Sequence, residues 1–262
     1  MNNKDEESIQ VRWPDNRPEY SNYKRVLDNA EWYEIYEIQN NTYAFYEPGF
    51  SEEVISFLLV GKKRALLWDT GMGFAPLRPL VEQLTSLPLT VINSHIHMDH
   101  VASNHEFDVV YAWLSEYQER SQTGYDLSGM VAQLINFPFS RPLSPDFIAE
   151  KYTVYPWKYA RLSDPEQIAT KDGFIYRSQG SSYPFFPSEV KPLLTNIAVD
   201  IGGRILDILH TPGHTFDSIM LLEYDKRTLY TGDTIYSGEL YAHLPSTWFN
   251  VFSTFFFDKQ KY

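Results

Sequence analysis

Apolar positions recur along this chain in short runs that predict β-hairpins around one helix. Tyr33 to Tyr46 is rich in Tyr, Ile and Phe and reads as strand. Ile55 to Val60 and Ala65 to Trp68 are apolar runs separated by Gly61-Lys62-Lys63, which is a hairpin signal. Asp69-Thr70-Gly71 breaks the pattern. Leu77, Leu80, Val81 and Leu84 then fall at i, i+3, i+4 and i+7, the spacing of one helical face. Pro88 ends that helix, and Leu89 to Ile92 is a short strand that runs into Asn93-Ser94-His95.

The stretch from about 111 to 190 loses this regularity. Half of the chain's 16 prolines lie between Pro138 and Pro192, with Tyr, Phe and Trp scattered among them. Tyr125 to Ile135 has a helical look. The segment reads either as an irregular insertion over a site or as a surface excursion packed by its own aromatics. Patterning returns at Ile197. Ile197 to Ile201, Gly202-Gly203 and Arg204 to Leu209 form one predicted hairpin. Ile219 to Tyr224, Asp225-Lys226 and Arg227 to Tyr230 form another. The strands of both halves end in loops carrying His or Asp.

Length and composition narrow the class. The 262 residues fit one large α/β domain or two tightly packed halves, with a polar arm over 1–30 and the folded part over 31–262. A net charge of −12 repels polyphosphate and anionic lipid, so nucleic acid and membrane are poor partners and a small molecule is the expected substrate. The N-terminus lacks the apolar core of a signal peptide, and no run reaches the length of a membrane span. With no cysteine in the chain, thiolate ligands and disulfides are excluded, and any metal must be held by His, Asp and Glu. A cytoplasmic location is compatible with this.

The strongest chemical signal is His95-Ile96-His97-Met98-Asp99-His100. Three of the chain's seven histidines fall in these six residues. In an extended segment His95 and His97 can point the same way, leaving Asp99 and His100 to turn toward a neighbouring position. Imidazole and carboxylate in such a cluster suit zinc and similar metals. The second signal is His210-Thr211-Pro212-Gly213-His214-Thr215. His214 follows a Pro-Gly turn at the sheet edge, whereas His210 lies on the strand, where packing is the simpler role. The third is Thr231-Gly232-Asp233-Thr234, with its carboxylate just past a strand end.

In this order the three motifs resemble the metallo-β-lactamase superfamily over roughly residues 50–110 and 195–245. Asp69-Thr70-Gly71 and the Gly202-Gly203 hairpin fit the same resemblance. It implies an αββα four-layer sandwich with a metal pair between the sheets. His95, His97 and His214 would hold the first metal, Asp99 and His100 the second, and Asp233 would bridge both. Asp69 would orient a ligand by hydrogen bond. The resemblance implies a hydrolase that uses a metal-bound hydroxide on an ester, thioester, lactone or related carbonyl, with Asp99 orienting the nucleophile or passing its proton onward. Zinc is the expected metal, with iron or manganese as alternatives. Tyr236, three residues after Asp233, either supports the oxyanion, as a tyrosine does in the lactonase branch, or packs. His243 either lines the pocket or is structural, and His105 reads as a helix-surface residue.

Two departures stand out. Ala102-Ser103 replaces a glycine pair common after the hexapeptide, a packing change. The superfamily usually supplies one more histidine for the second metal on a later strand, and His243 comes too early. Trp248, Phe249, Val251, Phe252, Phe255 and Phe256 form a helical stripe where a C-terminal strand is expected, so that strand is missing. Either the sequence is a fragment or the second site is incomplete, and unequal metal occupancy is expected. A mononuclear iron oxidoreductase resembling the persulfide dioxygenases of the same superfamily is the alternative function.

Overall fold

A computed structural model describes residues 20–28, 30, 32–48, 53–113, 158–162, 175–177, 197–215 and 217–236. Two sheets face one another. The first has eight strands in chain order: β1 Lys24–Val26, β2 Glu34–Gln39, β3 Thr42–Tyr46, β4 Ile55–Val60, β5 Ala65–Trp68, β6 Leu89–Ile92, β7 Val109–Ala112 and β8 Lys158–Arg161. β1 to β5 pair antiparallel, and β5 to β8 run parallel. The second sheet has five antiparallel strands: β9 Ile175–Arg177, β10 Ile197–Asp200, β11 Ile205–His210, β12 Ile219–Glu223 and β13 Thr228–Tyr230.

The period-2 alternation of strands sorts the first sheet into two buried faces. Leu58, Leu67, Val91 and Val110 point to one side and pack with Leu77 and Val81 around helix α1, Arg78–Leu84. Leu59, Leu66, Trp68 and Ile92 point to the other and meet Val199, Leu206, Ile208, Ile219 and Leu221 of the second sheet. Every residue of β5 is therefore buried, which explains why its sequence is a continuous apolar run. Truncating one of these fully buried leucines, such as Leu66, should cost about 2–5 kcal/mol in lost burial plus cavity.

A buried ion pair locks the two sheets at the end away from the candidate site. Arg204 Nε and Nη2 each donate to the Glu223 carboxylate at 2.7 Å. The same guanidinium donates to Asn41 O at 2.8 Å and Thr42 Oγ1 at 3.0 Å in the first sheet. The planar fork of arginine satisfies all of these acceptors at once, which a lysine could not do.

The sequence pattern and the structure agree closely at β4, β5, α1, β6 and β10 to β13. They differ in two places. β1 falls inside the segment expected as a polar arm, because pairing with β2 supplies order that its polar sequence does not advertise. β8 and β9 fall inside the segment expected to be irregular, and each extends a sheet through a partner distant in sequence. The expected helix Tyr125–Ile135, the stripe Trp248–Phe256, the question of a C-terminal strand, His243 and the second outer helical layer lie outside the described residues. Among the described residues, no helix is long and apolar enough to cross a membrane.

Candidate metal centre

The loops after β5, β6, β11 and β13 meet at one edge of the sandwich, and each carries one motif. Asp69 follows β5 with a positive φ of 62°. Asn93 to His97 follow β6, and Met98–Val101 then form a single helical turn, α2. That turn brings the His100 ring to within 4.2 Å of the His95 ring, centroid to centroid. His214 lies between β11 and β12. Asp233 sits in a 3-10 turn, Gly232–Thr234, just after β13. Gly232 has φ 50°, and a Cβ there would lie 2.7 Å from Ser94, so only glycine lets the Asp233 turn close onto the β6 loop.

The six residues expected as ligands converge. One ligand atom each from His95, His97 and His214 lie within 4.8 Å of one another, as do those of His95, His100 and Asp233. His214 Nε2 is 2.9 Å from His97 Nδ1. Asp233 spans the cluster, with Oδ1 at 3.2 Å from His100 Nε2 and Oδ2 at 3.5 Å from His214 Nε2. Asp99 Oδ2 lies 3.2 Å from His100 Nε2.

Electrostatics fit a cation. His95 Nε2 is buried and has no hydrogen-bond partner. An imidazole nitrogen sequestered that way is costly unless something else takes its lone pair. Burial, followed by the neighbouring His100, His97 and His214, holds His95 well below the usual imidazole range. Burial also pushes His97 down to about 4. Both rings are thus neutral, the form that binds metal. Around His100 the balance is reversed. Burial opposes its charge, but Asp99, Asp69 and Asp233 outweigh burial and raise it well above the ordinary value. For Asp99, burial acts upward, and the His100 charge and hydrogen bond overcome it to leave the carboxyl at about 2. This concentration of carboxylate charge among neutral nitrogens suits a divalent ion with nitrogen and oxygen ligands.

A supporting shell surrounds these residues, and most of it was not legible in the motifs. Asp69 Oδ1 accepts the Ser94 N–H at 2.6 Å, and Oδ2 accepts the Ser94 hydroxyl at 2.7 Å. His100 Nδ1 lies 2.9 Å from Asp69 Oδ2, and the Ser94 hydroxyl is 3.0 Å from His95 Nδ1. Asn104 Nδ2 donates to Asn93 Oδ1 at 2.8 Å, and Asn93 Nδ2 and Thr70 N donate to His100 O at 3.2 and 2.9 Å. Asn93, Thr70 and Asn104 carry no metal-ligand chemistry. Their signal in sequence is only their place beside a cluster that must bury polar backbone.

The remaining candidates are placed differently. His210 stacks on Trp113, with ring centroids 4.4 Å apart, in keeping with its expected packing role. His105 Nδ1 contacts Ala102 O at 2.8 Å. Tyr236 is half-buried, two residues past the turn that holds Asp233.

Comparison with known proteins gives a consistent result. The sequence profile of the metallo-beta-lactamase superfamily matches residues 53–115 and 143–261, together more than half of the chain. The chain is 25% identical over 242 residues to the acyl-coenzyme A thioesterase MBLAC2 of Homo sapiens, covering 84% of this chain and 72% of that protein. It is 26% identical over 245 residues to the Bos taurus protein of the same name, with the same coverages. Among solved structures, a metallo-beta-lactamase family protein from Thermus thermophilus aligns with TM-score 0.46 and 17% identity, over 77% of this chain and 62% of that one.

Proposed function

Because the chain belongs to the metallo-beta-lactamase superfamily, we propose that it is a metal-dependent hydrolase of acyl thioesters. The observation that carries this reading is the placement of Asp233, whose two oxygens face His100 on one side and His214 on the other. A carboxylate set between two groups of nitrogens suits a pair of ions. We assign His95, His97 and His214 to the first ion, Asp99 and His100 to the second, and Asp233 to both. Zinc is the proposed metal, since imidazole and carboxylate are the ligands it takes in catalytic sites. The thioester is proposed from the relatives, both named acyl-coenzyme A thioesterases. Those names do not favour the iron oxidoreductase alternative.

The ions, when bound, supply a water activated near neutral pH and polarisation of the thioester carbonyl. The protein's own groups do the rest. Asp99 orients the attacking water by accepting a hydrogen bond from it, or passes its proton onward. The thiolate of a thioester leaves without needing that proton first, so no strong general acid is required. The Tyr236 hydroxyl is proposed to donate to the developing oxyanion. Asp69 holds the His100 ring so that Nε2 faces Asp99 and Asp233.

The net charge of −12 disfavours nucleic acid, and a small-molecule substrate is proposed from the relatives. The cysteine-free chain is compatible with the cytoplasm, the location we propose, and cell fractionation checks it. The activity itself is tested with a panel of acyl-coenzyme A thioesters, lactones, β-lactams and phosphodiesters presented to zinc-loaded protein. The reading expects the thioesters to be cleaved fastest. Preference for any other class would overturn it.

A further inference from the structure

Behind the candidate metal centre lies a buried carboxylate that the reaction above does not use. Glu47 follows β3 and is 1% exposed. Its Oε2 accepts the Trp32 indole N–H at 2.6 Å, and its Oε1 accepts the backbone N–H of Met72 at 2.9 Å. Among the described residues, no lysine or arginine pairs with it. An ionisable group this deep is costly to keep unless it holds something in place.

What it holds is one peptide group. The N–H of Met72 and the carbonyl of Gly71 belong to the same planar unit. That carbonyl accepts the N–H of Ala102 at 3.0 Å, at the end of α2. The path is therefore Glu47 carboxylate, Gly71–Met72 peptide, Ala102. A carboxylate on the N–H side polarises the peptide and strengthens the bond on its carbonyl side. The same turn begins at Asp69, and the N–H of Thr70 donates to His100 O at 2.9 Å. Gly71 is fitted to the contact. Its φ is +68°, and a Cβ there would lie 2.0 Å from Glu47 Oε1. The carboxylate thus packs directly against the turn that braces Asp99 and His100.

We propose that Glu47 is a positioning residue for the second metal position: through the Gly71–Met72 peptide it fixes α2, and with it Asp99 and His100, while leaving the three-histidine position largely untouched. His214 lies on another loop, and His95 and His97 stand before α2 on the same loop, at the end away from the Ala102 contact. The proposal rests on the two-ion assignment above and adds a residue and a direction to it. Burial raises the Glu47 carboxyl to about 7, and Asp99 and His100 are among the charges that act on it, which places the group within electrostatic reach of that position.

The test is zinc titration of stripped protein against a chromophoric chelator, without substrate. Asp99→Ala and His97→Ala identify which ion is which. Glu47→Ala should weaken the Asp99-dependent ion by about tenfold or more and leave the His97-dependent ion nearly unchanged. Glu47→Gln keeps an oxygen for the Met72 N–H and should recover most of that loss. If Glu47→Ala does not fold, Glu47→Asp, which retracts the carboxylate by one methylene, should show the same selective weakening. Equal weakening of both ions would make Glu47 a general stability residue and overturn the proposal, as would unchanged affinity for both. A wild-type chain that binds only one zinc would instead remove the two-ion assignment itself, and the proposal with it.

Discussion

Asp69 Oδ2 lies 2.9 Å from His100 Nδ1, while the opposite nitrogen of the same ring, Nε2, is 3.2 Å from both Asp99 and Asp233. The carboxylate on one side holds the ring at Nδ1, and the ring then presents the other nitrogen to the centre of the site. Asp69 also takes both the N–H and the hydroxyl of Ser94, next to His95. One buried side chain thereby orients both the start of the β6 loop and α2 at its end.

Asp69→Asn tests this. The amide presents a donor where Ser94 and His100 need an acceptor, so metal affinity should fall by about 10–100-fold. The fold should survive, because the apolar cores on either side of β5 are untouched. Metal analysis after equilibrium dialysis reads the loss. Wild-type affinity in this variant would show that the Asp69 contacts are incidental.

Tyr236, three residues after Asp233, is a separate matter, since no ligand role is assigned to it. If its hydroxyl stabilises the oxyanion, Tyr236→Phe should lower kcat by about tenfold to a thousandfold, with metal content unchanged. An unchanged kcat would assign the tyrosine to packing.

The Glu47 carboxyl, raised to about 7 by burial, makes a pH prediction with a definite sign. Between the ordinary carboxylate value and about 7, the folded protein keeps a proton that the unfolded chain has released. The contribution of this group to stability is therefore full at low pH, falls as pH rises toward 7, and is flat above. In chelator-treated protein, the Tm of wild type relative to Glu47→Gln should be more favourable at pH 5 than at pH 8. A Tm difference that stays constant across that range would contradict the raised value.

Much of the fold was legible because local pattern and tertiary role coincide. Leu58 and Leu59 face opposite buried layers, and the run Ile55–Val60 announces a strand buried on both sides. The spacing of Leu77 and Val81 matches the face that α1 buries. The edge strands β1, β8 and β9 were not legible, because their order comes from pairing, with neighbouring β2 for β1 and with distant segments for β8 and β9, and not from their own patterning. At the site, the histidines and aspartates were visible as rare residue types at loop positions. Glu47 was not, since a lone glutamate after a strand looks like any solvent-facing carboxylate until the fold buries it under Trp32 and Met72. The Asn93–Asn104 pair was hidden for the same reason: its work is to satisfy backbone groups such as His100 O.

The central claim is that this site hydrolyses acyl thioesters with bound metal. The direct measurement is release of free thiol from an acyl-coenzyme A, followed with a chromogenic thiol reagent; the chain has no cysteine of its own to react. Zinc-loaded wild type should turn over, chelator-stripped protein should lose nearly all activity and regain it with zinc, and His97→Ala should stay inactive under all three conditions. Full turnover by stripped protein, or none by the zinc-loaded enzyme on any acyl-coenzyme A, would contradict it.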